Sequence, residues 1–249
     1  MSAVFSFQKP LVLGHRGDCA HAPENTIAAF RQALEAGADG IELDARLTRD
    51  KVVMVLHDVG VDRISNGHGR LAGMTRAEAE QLDAGAGFDR CFVGEQIPTL
   101  QKVFETFGSR LIYDLEIKNF DAPLNGLEIR VLELVQRFEL EQRVIVTSFN
   151  PRAVHFFRQR LPQAPVGLLL LGGRLGGLEE TIFSCWASDG VVGLASGEFS
   201  EGLVARQKGR EILVWGVKTA EEVCSVVKMG VAAVVTDDPG MARRALEGQ

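Results

Sequence analysis

Four short groups of ionisable residues are the ones that could do chemistry. Gly14-His15-Arg16-Gly17 is followed by Glu42-Leu43-Asp44, by His57-Asp58, and later by Asp114-Leu115-Glu116-Ile117-Lys118. Side chains alternate along a strand, so Glu42 and Asp44 share one side, as do Asp114, Glu116 and Lys118. Carboxylates converging at one mouth repel each other unless a cation neutralises them. Oxygen donors without Cys or paired His suit Mg²⁺ or Ca²⁺ better than Zn²⁺. A single such carboxylate would be read as salt-bridged to Arg46 or Lys118. The doubled pattern favours one divalent cation. His15 and His57 are candidates for a general acid and a general base, because imidazole exchanges protons near neutral pH. His57 is preferred as the acid. Arg16, between two glycines that allow close backbone approach, is the candidate phosphate clamp, and Lys118 a second cation. His21 and His68 fall in loops and His155 in a helix beside Phe156 and Phe157, where surface or packing roles are expected.

The elements that must position these groups are legible around them. The first three follow apolar runs at Leu11–Leu13, Gly40–Leu43 and Val52–Leu56. Polar residues at the ends of successive buried strands have no packing rationale, and they suit one end of a parallel barrel. Further strands read at Leu111–Ile117, Val144–Ser148, Val166–Leu171, Gly190–Gly193, Ile212–Val217 and Ala232–Thr236. Pro23-Glu24-Asn25-Thr26 starts a helix whose stripe is Ile27, Phe30 and Leu34 and which Gly37 ends. Asn150-Pro151 reads as N-cap plus first-turn proline, ahead of a face of Val154, Phe157 and Leu161. Thr75–Glu78 and Thr219–Glu222 read as capping boxes, with Gly230 closing the second helix.

Strand–helix alternation over 249 residues favours a (β/α)8 TIM barrel over a doubly wound sheet. Two features qualify it. The seven residues Ala45–Lys51 leave no room for a helix between Asp44 and Val52, so the chain must run back without one. Nine strand-like segments also exceed eight barrel positions. Residues from about 59 to 99 break the alternation and read as an insertion capping one rim of a single domain, 1–249. Gly172-Gly173-Arg174-Leu175-Gly176-Gly177 lacks the Lys-Ser/Thr of a phosphate loop and reads as a mobile loop.

Net charge is −6, without a block of Lys or Arg, which argues against nucleic acid and against stable association with an anionic membrane. Cys19, Cys91, Cys185 and Cys224 are scattered, as expected of a reducing compartment. No charged leader precedes an apolar stretch at the N-terminus, and the longest apolar run is too short to span a bilayer, so a cytoplasmic protein is expected. None of these features sets an oligomeric state.

The motifs together resemble the glycerophosphodiester phosphodiesterases, in the short cytoplasmic bacterial form. The resemblance is carried by Gly14–Gly17, Pro23–Thr26, Glu42–Asp44, Leu47-Thr48-Arg49-Asp50, His57-Asp58 and Leu115–Lys118. Asp62-Arg63, Asp83-Ala84-Gly85, Ile97-Pro98-Thr99-Leu100 and Val235-Thr236-Asp237 extend it over nearly the whole chain. It implies a barrel of the phospholipase-C-like phosphodiesterase type with a small insertion after the third strand. It also implies a divalent ion held by Glu42, Asp44 and Glu116, with His15 and His57 as the acid/base pair. The implied reaction hydrolyses glycerophosphodiesters to sn-glycerol 3-phosphate and an alcohol, the first nucleophile being the substrate's own glycerol 2-hydroxyl. Trp215-Gly216-Val217-Lys218 departs from the family's frequent Trp-Thr-Val-Asn, leaving Trp215 as a substrate-pocket wall. Asp114, where Asn is common, would add negative charge near the metal. Two alternatives stand beside this: a related enzyme acting on lysophospholipids or another phosphodiester, and a non-catalytic barrel that binds glycerophosphodiesters.

Overall fold

The computed structural model describes residues 10–120, 125–170, 190–207 and 209–248. The first nine residues, the Gly172–Gly177 loop and Cys185 lie outside the described residues, as does the end of the run at Leu171.

Eight parallel strands close into a barrel. They are β1 (Leu11–His15), β2 (Gly40–Leu47), β4 (Ile112–Ile117), β5 (Val144–Ser148), β6 (Val166–Leu169), β7 (Gly190–Ala195), β8 (Arg210–Val217) and β9 (Ala233–Thr236). They neighbour one another in the order β1-β9-β8-β7-β6-β5-β4-β2, and β2 pairs back onto β1. The helices α1 (Ile27–Glu35), α2 (Arg76–Ala79), α3 (Leu100–Phe107), α4 (Leu127–Arg137), α5 (Pro151–Arg160), α6 (Glu201–Arg206) and α7 (Ala220–Lys228) lie in the connections, and α8 (Pro239–Glu247) follows the last strand.

Strand alternation divides the barrel into two environments. Outward residues such as Ile41, Leu43, Tyr113 and Leu115 join one large core with Phe30, Phe104 and Phe157 of the helices. Inward residues Leu11, Leu13, Ile112, Ile145, Leu213 and Val235 form a second, apolar core on the barrel axis. Followed toward the C-terminal ends, the same inward faces turn polar: Leu13 gives way to His15, and Ile112 to Asp114 and Glu116. The register sets Glu42 beside both His15 and Asp114, and Asp44 beside Glu116. Pairing in register, rather than loop placement, therefore brings the ionisable groups to one mouth.

The ninth strand-like segment is β3 (Val53–Val55), which is not a barrel strand. β2 continues past the rim, and β3 returns antiparallel to it, with Ala45, Arg46 and Leu47 opposite Val55, Met54 and Val53. The turn is held by Thr48, whose hydroxyl accepts from the Val52 N–H at 2.9 Å, with Lys51 in the left-handed region at φ 64°. His57 thus arrives at the C-terminal mouth on a descending strand, which corrects the expectation that all three opening motifs end successive parallel strands.

The segment after β3 carries α2 and two short 3₁₀ turns around its own apolar cluster of Val61, Leu71, Ala79, Ala84 and Ile97, packed on Met54 and Leu56. The expected capping box of Thr75 and Glu78 is formed in both directions. Thr26 caps α1 by accepting from Ala29, and Asn150 caps α5 ahead of Pro151. At α7, Thr219 accepts from Glu222, but the Glu222 carboxylate takes the N–H of Lys218, one residue before the cap. The second half of that box is therefore displaced by one position. Among the described residues, no helix is long and apolar enough to cross a membrane.

Candidate active site

The loop after β1 turns sharply to begin the site. Gly17 has φ 89°, and a Cβ there would lie 2.7 Å from the Ala29 backbone. A Cβ on Gly14 would lie 2.6 Å from the carbonyl oxygen of Gly17. Both glycines thus serve the fold of the loop and its seating on α1, not an approach to ligand. Arg16 between them takes φ 54°, an uncommon conformation for a residue with a side chain. It lets the Arg16 N–H donate to Glu42 Oε2 at 3.0 Å while the Asn25 N–H holds the Arg16 carbonyl at 2.9 Å.

Glu42, Asp44 and Glu116 are buried, and each presents a carboxylate oxygen within 4.8 Å of the others. Lys118 Nζ lies 2.9 Å from Glu116 and 3.6 Å from Asp44, and Arg16 Nε lies 3.5 Å from Asp44. The salt-bridge reading is met in part, then, through Lys118. Arg46 donates to the carbonyls of His57 and Lys118, tying the hairpin to β4. Two cations do not satisfy this trio. Burial, aided by repulsion from Asp44, pushes the Glu42 and Glu116 carboxyls up to about 8. Asp44 is held low despite its burial by Lys118 and Arg16, and Asn25 donates to its Oδ2 at 2.8 Å, yet its buried Oδ1 has no hydrogen-bond partner. Three clustered carboxylates with an orphaned oxygen are a donor set suited to a hard divalent cation. Asp114 stands outside the trio. It accepts from Thr147 at 2.8 Å, and burial pushes it up to about 7.

The imidazoles stand at the same mouth, each with Nδ1 against a carboxylate. His15 is 2.6 Å from Asp237 and His57 is 2.7 Å from Asp58. Burial opposes the charged form of both rings. For His15, Asp237 and Glu42 outweigh it and hold the imidazolium above its ordinary range; for His57, burial prevails and the ring is held below. Asp237 is drawn down to about 2 by His15, and Asp58 to about 2 chiefly by Arg63.

Both histidines, Arg16, Glu42, Glu116 and Lys118 line a cavity of about 160 Å³, to which Phe149, Leu169 and Trp215 contribute apolar wall. All eight residues singled out from sequence are thus brought together. Asp58, Asp237, Glu24, Asn25 and Arg63 stood in the quoted motifs but were given no role, and Phe149 was not named. Asp58 and Asp237 carried a signal, an acid beside a histidine and an acid directly after the last strand; how the loops bring the others together has no local pattern. His21, His68 and His155 sit apart, beside Asp18, Asp62 and Gln159.

The model of the "Glycerophosphoryl diester phosphodiesterase family" matches residues 15–241. A glycerophosphodiester phosphodiesterase of Caldanaerobacter subterraneus subsp. tengcongensis is 37% identical over 233 residues, covering 93% of this chain and 95% of that one. The chain is also similar to a solved Oleispira antarctica phosphodiesterase in complex with the product sn-glycerol-3-phosphate. That likeness has a TM-score of 0.81 and 25% identity, covering 96% of this chain and 97% of that one. A Thermotoga maritima glycerophosphodiester phosphodiesterase matches with a TM-score of 0.77 and 27% identity, covering 95% and 98%.

Proposed function

The chain belongs to the glycerophosphoryl diester phosphodiesterase family, and from that premise we propose that it hydrolyses glycerophosphodiesters to sn-glycerol 3-phosphate and an alcohol, with His15 and His57 exchanging the protons. The observation that carries this reading is the pair of imidazoles at one mouth, each Nδ1 fixed by a carboxylate, beside three buried carboxylates.

Arg16 and Lys118 face the phosphate oxygens and stabilise the negative charge that develops on them. Glu42, Asp44 and Glu116 would hold a divalent ion, Mg²⁺ or Ca²⁺, which when bound supplies further charge stabilisation at the phosphoryl group. With Nδ1 against Asp237 or Asp58, each ring has Nε2 free for proton transfer. One ring serves as the base and the other as the acid. In the first step the base takes the proton of the glycerol 2-hydroxyl as its oxygen bonds to phosphorus. The bond to the alcohol oxygen breaks, and the acid gives that oxygen a proton. The rings are then in the states that the second step needs: the one that gave its proton accepts another from water as it opens the cyclic phosphate, and the other returns its proton to the 2-oxygen.

The apolar wall of Phe149, Leu169 and Trp215 would face the departing alcohol. Cys19, Cys91 and Cys224 are free, which supports the cytoplasm as the site of action.

The test is a coupled assay of glycerol 3-phosphate release from glycerophosphocholine, glycerophosphoethanolamine and glycerophosphoglycerol, with Mg²⁺, Ca²⁺ or chelator. Release that is lost in His57→Ala and in chelator is the expected result. Binding without release would favour the non-catalytic barrel, and full activity in excess chelator would remove the ion from the reading.

A further inference from the structure

The segment after β3 does more than cover the rim. Val61, in the buried cluster of that segment, accepts at its carbonyl from the N–H groups of Ile64 and Ser65 and from the Ser65 hydroxyl. The tight turn so formed projects Arg63 toward the barrel mouth. Arg63 is half-exposed, yet three of its nitrogens are engaged at short distances. Nε donates to Asp58 Oδ2 at 2.6 Å, Nη1 to Glu24 Oε2 at 2.6 Å and Nη2 to Glu24 Oε1 at 2.8 Å. Glu24 Oε1 also accepts from Arg16 Nη1 at 3.0 Å, and Asp58 Oδ1 holds His57 Nδ1 at 2.7 Å. One guanidinium thus stands between the carboxylate that orients His57 and the carboxylate that orients Arg16.

We infer that Arg63 is a positioning residue, which fixes His57 through Asp58 and Arg16 through Glu24 and so makes catalysis depend on the docked insertion. The planar fork is what the task requires. A guanidinium can engage one carboxylate edge-on with two parallel N–H groups and reach a second with Nε, whereas an ammonium is a point charge. Asp58 is rotationally free about its own side-chain bonds unless its second oxygen is held. With Oδ2 fixed, Oδ1 can keep the His57 ring in the tautomer that carries its proton on Nδ1 and leaves Nε2 open.

This inference rests on His57 being one of the exchanging histidines, and the experiment separates the two. His57→Ala, Asp58→Asn, Arg63→Ala, Arg63→Lys and the Asp58→Asn/Arg63→Ala double variant are compared for kcat and KM, with thermal melts to confirm folding. Ring ¹⁵N NMR, assigned with His57→Ala, reports the His57 tautomer. Loss of a carboxylate partner costs a serine-protease histidine roughly 10⁴ in kcat. An arginine acting through the carboxylate is expected to cost roughly 10- to 100-fold, mostly in kcat. Arg63→Lys should fall between Arg63→Ala and the parent. Arg63→Ala should shift the His57 ring nitrogens toward the mixed-tautomer values, and adding it to Asp58→Asn should cost clearly less than Arg63→Ala costs the parent, because only the route through Glu24 to Arg16 is left to lose. The inference is overturned if His57→Ala is inactive while Arg63→Ala keeps the parent kcat and ring shifts, or if the two single effects multiply. A His57→Ala that remains active would instead sink the underlying reading of the site.

Discussion

What a histidine does in this mouth is decided by the group on its far nitrogen. Asp237 holds His15 from a position 222 residues away, whereas His57 has its carboxylate on the adjacent residue. Asp237→Asn keeps the shape but allows the amide to donate, which favours the wrong tautomer of His15. The expected loss is roughly 10²-fold or more in kcat with KM little changed, measured by steady-state kinetics on the coupled assay. Glu42→Gln removes a carboxylate from the trio and should weaken divalent-ion binding in titration calorimetry together with activity. At this scale the sequence was informative where chemistry and strand ends coincide, as at His15, Glu42, Asp44, Glu116 and Lys118. It offered Asn25, Glu24 and Arg63 only as members of motifs and was silent on what they hold, because their partners are chosen by how loops fold against one another and no spacing encodes that.

Elements set the precision with which those side chains meet. The turn at Gly17 and the one at Gly126 have nearly the same left-handed φ, 89° and 86°, but a Cβ at Gly126 would meet nothing within 4 Å. Gly17→Ala should therefore destabilise more than Gly126→Ala, the excess being about 1–3 kcal/mol from overpacking against α1. Urea unfolding of the two variants measures that difference directly. Caps and stripes made the helices readable: Thr26, Asn150 and the Thr75–Glu78 pair act as their types suggest. The direction of β3 was not readable. The short Ala45–Lys51 link excludes a helix, but whether the next strand lies inside the barrel depends on β2 pairing with β4, an association with residues about 70 positions later.

For the molecule as a whole, the buried carboxylates link stability to pH and to ions. Glu42 and Glu116 rise from an ordinary 4.5 to about 8 in the folded chain. Between those values the folded state keeps protons that the unfolded state has released, so stability of the ion-free protein falls as pH rises across that window. Asp44, held below its ordinary 3.8, acts in the opposite sense only in more acidic solution. Thermal melts in chelator should give a lower Tm at about pH 8.5 than at about pH 6. Adding Mg²⁺ or Ca²⁺ should raise Tm more at the higher pH, and an ion at 100 times its Kd adds about 2.7 kcal/mol. A chelated protein equally stable at both values would contradict the electrostatics of the trio.

The descending strand β3 has a consequence of another kind. Because β2 closes onto β1 and β4 without it, the ring of eight strands does not need the β3 hairpin to be complete. His57 and its supports therefore ride on a graft, while His15 and the carboxylates belong to the trunk. Changes of length or sequence within residues 59–99 need not reopen the barrel. Through Arg63 they would reach His57 and Arg16 together, so selection can retune rate and the hold on phosphate there while the carboxylate trio stays on the trunk.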